Sequence, residues 1–285
     1  MNHLKNITVQ IVLYEETTET IIKCLNNLKK FKVIILDNSN NLKLKNDLIK
    51  KYEIQKYILE KKNIGYSKAH NKIASFVDTD YLLILNPDCL IDEKNIINLY
   101  NAHKNYSNCG IAGPTTFNQN NDLTFNGGFL PENGNIGEPT ILDGDACFQS
   151  ILGSAMLLRK KDFLDLGMFN DKLFLFFSDY DLCRKFRNIE KSVIQVFDSK
   201  AVHEHGISKV RNIFKKIFLR EFYIVYDELL YFSISRSHQK KFDTLKKKIP
   251  SYYIKFFINL IFLNFRKSLL YASKIMAYNR FKKEL

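Results

Sequence analysis

Between Ile7 and Leu85, runs of apolar residues alternate with amphipathic segments. The apolar runs carry few polar positions, a pattern typical of strands buried on both faces of a parallel sheet. Their helical counterparts show i, i+3, i+4 spacing, and Thr17 or Thr18 would cap the first helix. The predicted strands are Ile7–Tyr14, Val33–Leu36, Ile54–Leu59 and Tyr81–Leu85, and the predicted helices are Thr17–Lys30, Leu42–Lys51 and one that follows Gly65. This alternation predicts an α/β fold with a mostly parallel central sheet flanked by helices.

Polar residues stand where each predicted strand ends. Ligands of such sheets bind beyond the carboxyl ends of the strands. We therefore expect these polar residues to gather along one edge of the sheet and to face a common ligand. They are Tyr14, Asp37, Asn38, Asn63, Gly65, Asn86 and Asp88.

The charge distribution divides the chain. Residues 1–208 hold 25 basic and 25 acidic side chains, whereas residues 209–285 hold 18 and 5 and so account for the whole net charge of +13. A composition change of this size indicates a domain boundary. We therefore predict a first domain at 1–208 and a basic helical tail at 209–285.

The basic tail places Lys and Arg among Ile, Phe, Leu and Tyr at helical spacing, first over residues 210–232 and again after Pro250, and each stretch predicts one helix. Such helices suit the surface of an anionic membrane, and a helical cap or a homo-oligomer interface is the alternative. The most apolar piece, Ile254–Phe265, includes Lys255 and is shorter than the roughly 20 apolar residues needed to span a bilayer. Basic charge without a nucleic-acid motif is weak evidence for nucleic acid, and we expect none as a partner.

The expected location is the cytoplasm, at the inner face of the plasma membrane. Five widely spaced cysteines suggest neither a disulfide framework nor a zinc site, and a reducing compartment follows. The N-terminal residues lack the cationic head and apolar core of a signal peptide.

No phosphate-binding glycine loop occurs in the sequence, neither GxGxxG nor GxxxxGK followed by Ser or Thr. A bound nucleotide diphosphate would therefore need a metal ion to neutralise its charge. Mg²⁺ and Mn²⁺ take oxygen ligands, and Asp88 at the end of a strand is a suitable one.

Six segments between residues 6 and 208 carry a family resemblance through their order along the chain. They are TVQIVLY, VIILDNSNN, KKNIGYSKAHNKI, YLLILNPDCLI, GSAMLLRKKDFLDLGMFNDKLFLFFSDYDLCRKFR and AVHEHGIS. In this order they resemble the family 2 inverting glycosyltransferases, and most of all the rhamnosyltransferase-like branch, in which Asn-Pro-Asp replaces the Asp-x-Asp metal motif. The resemblance implies a GT-A fold, a nucleotide-diphosphate sugar donor and Mn²⁺ or Mg²⁺.

The resemblance assigns donor and metal roles to residues of this chain. Asp88 would bind the metal and the diphosphate, with Asn86 at the place of the usual first Asp. Asp37 and Asn38 would contact the base and ribose of the donor, and Asn63 and Gly65 would border the nucleotide. His203 would complete the metal site, although His205 lies two residues further on and would face the same side of an extended segment.

The acceptor side requires a carboxylate to remove a proton from the attacking hydroxyl. The resemblance gives this role to Asp179, with Ser178 where an acidic residue is common in the family. Asp181 would be a helix N-cap or an acceptor ligand. Residues 114–150 are rich in Gly, Asn and Pro and predict irregular hairpins or a loop, in which Asp143 and Asp145 are further acceptor candidates.

The expected function is transfer of a sugar from a UDP- or dTDP-sugar to a saccharide, which we expect to be lipid-linked, in the assembly of bacterial surface glycans. Two alternatives stay open. One is a non-catalytic member of the family that binds a saccharide or a partner, which the departures at Asn86 and Ser178 favour. The other is a membrane or nucleic-acid adaptor in which the sheet only supports the tail.

Overall fold

A computed structural model describes residues 4–133, 139, 141–203, 212–234 and 238–284. Contacts divide it into two units: one comprises Met1–Asp171 and Ser178–Lys209, and the other comprises Lys172–Phe177 and Val210–Leu285. The strands are β1 (Ile7–Leu13), β2 (Lys32–Asp37), β3 (Lys56–Leu59), β4 (Tyr81–Leu85), β5 (Cys89–Ile91), β6 (Cys109–Phe117), β7 (Leu123–Thr124), β8 (Gly127–Gly128), β9 (Ala146–Phe148), β10 (Ser150–Ile151), β11 (Ala155–Arg159) and β12 (Ser192–His203). The helices are α1 (Thr18–Asn26), α2 (Leu42–Ile49), α3 (Tyr66–Ala74), α4 (Glu93–Asn105), α5 (Lys160–Asp165), α6 (Ser178–Asn188), α7 (Ile213–Ser233), α8 (Gln239–Ile261) and α9 (Phe265–Glu284), with a 3₁₀ turn at Leu4–Asn6.

The first half of the sheet is parallel, as the alternating sequence pattern predicts. Among the described residues, the main sheet has the order β3-β2-β1-β4-β11-β6-β12-β5, with β7 beside β6 and β9 beside β12. Strand β1 pairs in parallel with β2 and β4, and β2 pairs in parallel with β3. The predicted α/β fold is therefore confirmed, and the carboxyl ends of these four strands lie along one edge.

The second half of the sheet is mixed, and β11 is the strand at which the parallel half ends. Strand β11 runs antiparallel to both β4 and β6, so that Ala155 pairs with Leu85 and Leu157 pairs with Ala112. The residues just before β11 therefore lie beside the residues just after β4. Asn86 and Asp88, two of the predicted site residues, follow β4 at this junction.

Helix α1 is shorter than predicted and stops at Asn26. Thr17 is its N-cap and accepts a hydrogen bond from the amide of Thr20. At the other end, the Asn27 amide bonds to the carbonyls of Cys24 and Leu25, which closes the last turn before Lys30 is reached.

The second unit contains the basic tail, and its helices differ from the predicted pair. We expected one helix after Pro250, but α8 begins at Gln239 and runs through Pro250. Proline removes one backbone donor within a helix, and here the neighbouring turns continue past it. The chain instead breaks at Leu263, whose φ of 54° is left-handed, before α9 begins. None of the described helices is long and apolar enough to cross a membrane.

Candidate active site

Asp37 and Asn38 end strand β2 and hold the start of the next loop. Asp37 is fully buried and accepts hydrogen bonds from the amides of Ser39 (2.6 Å) and Asn41 (3.2 Å) and from the hydroxyl of Tyr57 (3.3 Å). These bonds fix the turn that follows the strand.

Asn38 connects this turn to the predicted nucleotide-bordering turn. Its side-chain oxygen accepts from the amide of Ile64 (3.1 Å), and its side-chain nitrogen donates to the carbonyl of Gly65 (3.3 Å). The Gly65 amide in turn donates to Asn63 (2.8 Å). Gly65 has a φ of 86°, which is left-handed and therefore suits glycine. The structure thus brings Asp37, Asn38, Asn63 and Gly65 together.

Tyr14 follows β1 directly and is half-buried. Next to it, the amide of Glu15 donates to the hydroxyl of Ser39 (2.5 Å), and the Asn38 amide donates to the carbonyl of Leu13 (2.9 Å). Tyr14 therefore lies at the same edge as the Asp37–Asn38 turn, as its place in the sequence predicts.

Asp88 and His203 lie side by side, although they are far apart in the sequence. Strand β12 pairs antiparallel with β5 so that His203 is opposite Cys89, the residue after Asp88. The Nε2 atom of His203 is 3.5 Å from a carboxylate oxygen of Asp88. The His203 side chain is 9% exposed and that of Asp88 is 19% exposed, so both are sheltered yet still accessible. His205 lies outside the described residues.

This pair suits a hard divalent cation with incomplete protein ligation. Within the described part of the chain, no three His, Cys, Asp or Glu side chains cluster closely enough to hold a metal ion. Mg²⁺ sites commonly take one or two protein ligands and complete their shell with phosphate oxygens and water. A carboxylate and an imidazole fit that pattern. They do not fit a closed tetrahedral zinc site.

Asp179 lies in the first turn of α6, and its carboxylate is hydrogen-bonded to a residue just before β11. One carboxylate oxygen accepts from the amide of Gly153 (2.9 Å), and the other accepts from the amide of Tyr180 (2.9 Å). Burial raises the pKa of Asp179 above its ordinary value, although these amide bonds act in the opposite direction. The carboxylate is therefore held in place and is more basic than an exposed aspartate.

The residues just before β11 connect the turn that carries Asp88 to Asp179. The amide of Asn86, at the end of β4, donates to the carbonyl of Ser154 (2.8 Å), and the neighbouring Gly153 amide binds Asp179. The turn that carries Asp88 and the helix that carries Asp179 are thus attached to adjacent residues. The structure therefore brings the predicted metal ligand and the predicted base to one side of the sheet.

Gly153, Tyr66 and Ser67 support this arrangement, and we did not predict roles for them from the sequence. The hydroxyl of Tyr66 donates to the Gly153 carbonyl (2.7 Å), and a Cβ at Gly153 would lie 2.8 Å from that hydroxyl. Ser67 and Ser178 form a buried hydroxyl pair at 2.6 Å. Ser178 stands where an acidic residue is common in the resembled family, and here its hydroxyl is bonded to α3. The signal in the sequence was the small-residue pair Gly153-Ser154 just before a strand.

Two of the three acceptor-side candidates have polar partners of their own. Asp181 is buried and forms ion pairs with Arg184 (2.6 Å) and Lys185 (3.5 Å) on its own helix. Asp145 accepts from Tyr106 (3.0 Å) and from the amide of Phe197 (2.8 Å), and Asp143 is exposed. Asp181 and Asp145 therefore have local structural partners.

The chain is similar in sequence to known glycosyltransferases. The chain is 25% identical over 223 residues to the low-salt glycan biosynthesis hexosyltransferase Agl10 of Haloferax volcanii, a match that covers 73% of this chain and 70% of that protein. It is 24% identical over 213 residues to the dTDP-rhamnosyl transferase RfbF of Shigella flexneri, which covers 72% and 71%. These matches support glycosyltransferase activity with a nucleotide-sugar donor.

The fold is also found in a solved glycosyltransferase structure. GalNAc-T7 in complex with UDP, GalNAc and Mn²⁺ superposes with a TM-score of 0.59 at 14% identity, over 85% of this chain. This chain spans about half the length of the GalNAc-T7 chain, because the match covers 54% of it. The predicted GT-A fold is confirmed. The profile of Glycosyl transferase family 2 matches residues 8–163, and the chain belongs to this family.

Proposed function

We propose that this protein is an inverting glycosyltransferase that moves a sugar from a UDP- or dTDP-sugar to a saccharide acceptor. The observation that carries the proposal is the attachment of the Asp88 turn and of Asp179 to the adjacent residues Ser154 and Gly153. A donor held at Asp88 would then present its sugar toward Asp179. The resemblance of the sequence motifs and the names of the relatives support the same reading.

An inverting transfer requires a base for the acceptor hydroxyl, and we assign this role to Asp179. The acceptor oxygen attacks the anomeric carbon from the face opposite the diphosphate and forms the new C–O bond. The old C–O bond breaks, and its electron pair leaves with the nucleoside diphosphate. The proton of the acceptor hydroxyl passes to Asp179, whose raised pKa makes it a stronger base than an exposed aspartate.

Donor binding falls to the residues at the carboxyl ends of β1 to β4. The turns of Asp37–Asn38 and Asn63–Gly65 are tied together through Asn38 and would border the nucleoside. Asp88 and His203 would hold Mn²⁺ or Mg²⁺, with Asn86 beside them. When bound, the ion would neutralise the charge that develops on the leaving diphosphate.

We assign the acceptor by class. The relatives named above act in glycan biosynthesis or transfer rhamnose from dTDP-rhamnose. These names favour a growing glycan as the acceptor and a hexose or deoxyhexose as the transferred sugar, with N-acetylhexosamine as a further candidate. A lipid-linked bacterial surface glycan is our own proposal for the acceptor, and the basic tail supports it because its composition suits a membrane surface. Asp143 and Asp145 remain candidates for its hydroxyl contacts.

Peripheral attachment to the cytoplasmic face of the membrane would place the enzyme beside a lipid-linked acceptor. The end of α8 and the start of α9 expose a continuous apolar tip within the second unit. It consists of Ile254, Phe257, Ile258, Leu260, Ile261, Phe262, Leu263 and Phe265, each 42% exposed or more. Lys255, Arg266 and Lys267 flank these residues, a composition that suits an anionic lipid surface.

A donor screen tests the proposed reaction. UDP-, dTDP- and GDP-sugars are supplied with Mn²⁺, and nucleotide release is measured with and without saccharide acceptors. We expect one donor class to be turned over. We expect Asp179→Asn to reduce kcat by about 10²- to 10⁴-fold, the usual contribution of a general base, and to leave donor affinity intact.

Asp165→Asn is the control for Asp179→Asn, because Asp165 is exposed and pairs with Lys161. It should keep wild-type turnover. A chain that releases no nucleotide from any donor would favour the non-catalytic alternative, and an unchanged kcat in Asp179→Asn would remove Asp179 as the base.

The pH dependence follows from the raised pKa of Asp179. The base acts only when deprotonated, so kcat/KM should fall as the pH falls through this pKa. Because burial raises the pKa of Asp179, the acidic limb of the kcat/KM profile should lie above 3.8, the ordinary pKa of aspartate. A limb at or below that value in a pH profile would contradict the assignment.

Removal of the metal ligand should mimic removal of the metal. Asp88→Ala should reduce turnover about as much as excess EDTA does, roughly 10²-fold or more, and added Mn²⁺ should not rescue it. Titration of Mn²⁺ by isothermal calorimetry in the presence of nucleoside diphosphate measures the binding directly. The control is Asp47→Ala on the exposed face of α2, which should bind Mn²⁺ as wild type does. Equal binding by Asp88→Ala would exclude Asp88 as the ligand.

Membrane attachment should depend on the apolar tip. Ile261→Ser with Phe262→Ser should lower binding to phosphatidylglycerol vesicles at least about tenfold, since each apolar side chain contributes roughly 1.5–3 kcal/mol when buried. Co-sedimentation measures this. Ile141→Ser is the control, because Ile141 is 90% exposed but lies in the other unit. If wild type instead forms a dimer that the double variant abolishes, with no vesicle binding, the tip is an interface between copies.

A further inference from the structure

The short segment Lys172–Phe177 belongs to the second unit, although both of its neighbours along the chain belong to the first. It ends directly before Ser178, the first residue of α6, and Asp179 follows. Contacts that fix this segment therefore restrict the backbone position of Asp179. The contacts of this segment with α7 are all within the second unit.

One face of α7 holds the segment through residues spaced four apart. Tyr223, Asp227 and Tyr231 share this face, because residues at i and i+4 are neighbours on a helix. The ring of Tyr223 stacks on Phe174 with centroids 3.8 Å apart and planes at 10°. The ring of Tyr231 lies 5.3 Å from that of Phe177. The segment therefore runs along this face from Tyr223 to Tyr231.

Asp227, in the middle of this face, binds the backbone of the segment. Its carboxylate accepts hydrogen bonds from the amides of Phe174 (3.1 Å), Leu175 (2.8 Å) and Phe176 (2.9 Å). The side chain is fully buried. A carboxylate that accepts from three successive amides fixes the path of the backbone more tightly than apolar packing does.

A buried carboxylate is costly, which argues that its bonds have a specific use. Burial raises the pKa of Asp227 to about 6, while the three amide bonds and Arg280 act in the opposite direction. The helices of the second unit have other contacts that join them, among them the ion pair of Glu221 with Lys274 and the packing of Phe242 on Phe281. Asp227 contributes a fixed backbone path over residues 174–176, which these contacts do not supply.

Phe177 shows that the backbone is constrained where the segment meets α6. Its φ is 63°, a left-handed conformation that is unfavourable for a bulky residue and persists only where the surroundings impose it. On the α6 side, Ser178 is bonded to Ser67, and Asp179 is bonded to Gly153. Phe177 is therefore held between two fixed stretches of chain.

We propose that Asp227 is a positioning residue for the transfer reaction: by binding the amides of Phe174, Leu175 and Phe176, it sets the backbone from which Asp179 projects. This effect reaches Asp179 through the chain itself, because Phe177 is followed directly by Ser178 and Asp179. This inference rests on the proposed function, since it requires Asp179 to act as the base.

Asp227→Asn in the full-length chain is the test. Asparagine keeps the size of the side chain but presents an NH₂ group where an acceptor is needed. Nucleotide release is measured with the nucleotide sugar that wild type turns over in Mn²⁺. We expect kcat to fall about 10- to 100-fold, as a misplaced catalytic group causes, while the donor KM stays within about twofold. Hydrogen exchange should accelerate in peptides that cover residues 172–179.

Glu221→Gln is the matched control. It removes a carboxylate from the same helix, where Glu221 pairs with Lys274 at 3.1 Å, but it leaves the Asp227 amide bonds intact. We expect wild-type kcat and unchanged exchange over residues 172–179. If Asp227→Asn fails to fold by circular dichroism, Tyr223→Leu replaces it, because it removes the ring that stacks on Phe174; it too should lower kcat at constant donor KM.

The outcomes separate this inference from the proposed function. A wild-type chain that turns over no nucleotide sugar would overturn the proposed function and the positioning role with it. An active wild type would sustain the function, and the positioning role would then be overturned in either of two cases. In the first, Asp227→Asn keeps wild-type kcat despite faster exchange. In the second, Asp227→Asn and Glu221→Gln lose activity to the same extent.

Discussion

The antiparallel pairing of β4 with β11 is the constraint on which the site depends. It places the residues that leave β4 against those that enter β11, so that Asn86 and Ser154 share a backbone hydrogen bond. Gly153, one residue earlier, binds the carboxylate of Asp179. One strand junction therefore connects the turn of Asp88 with the proposed base. A side chain at Gly153 would disturb the Asp179 end of this connection, because its Cβ would lie 2.8 Å from the hydroxyl of Tyr66 and 3.4 Å from the Cβ of Asp179.

The sequence predicted the part of this design that depends on local pattern. Apolar runs such as Tyr81–Leu85 give buried parallel strands, and polar residues at their ends gather by the topology of the sheet alone. The pairing of Asp88 with His203 needed the family resemblance, because the register of β12 against β5 joins residues that are far apart in sequence. The contacts of Asp145 could not be read from the sequence, since Tyr106 and Phe197 are distant along the chain. The pairing of Asp181 with Arg184 has the i, i+3 spacing of neighbours on a helix and could have been predicted.

The basic tail illustrates the same limit. Its charge and its aromatic spacing predict amphipathic helices, and α7 and α8 agree with that pattern better than α9 does. Proline was a poor guide to the boundary between helices, because α8 continues through Pro250 and the break falls at Leu263. The role that we propose for Asp227 has no local signature at all. It depends on three backbone amides more than fifty residues earlier in the chain. Composition identifies the surface of such a tail, whereas its buried polar contacts appear only in the structure.

The central claim is that Asp88 and Asp179 serve one reaction from one side of the sheet. A crystal structure with Mn²⁺ and a nucleotide sugar tests it most directly, with the metal located by anomalous scattering at the manganese edge. The account predicts an ion at roughly 2.0–2.6 Å from an oxygen of Asp88, with His203 beside it. It also predicts that the anomeric carbon of the sugar faces Asp179. Manganese bound elsewhere, or a sugar whose anomeric carbon faces away from Asp179, would contradict it.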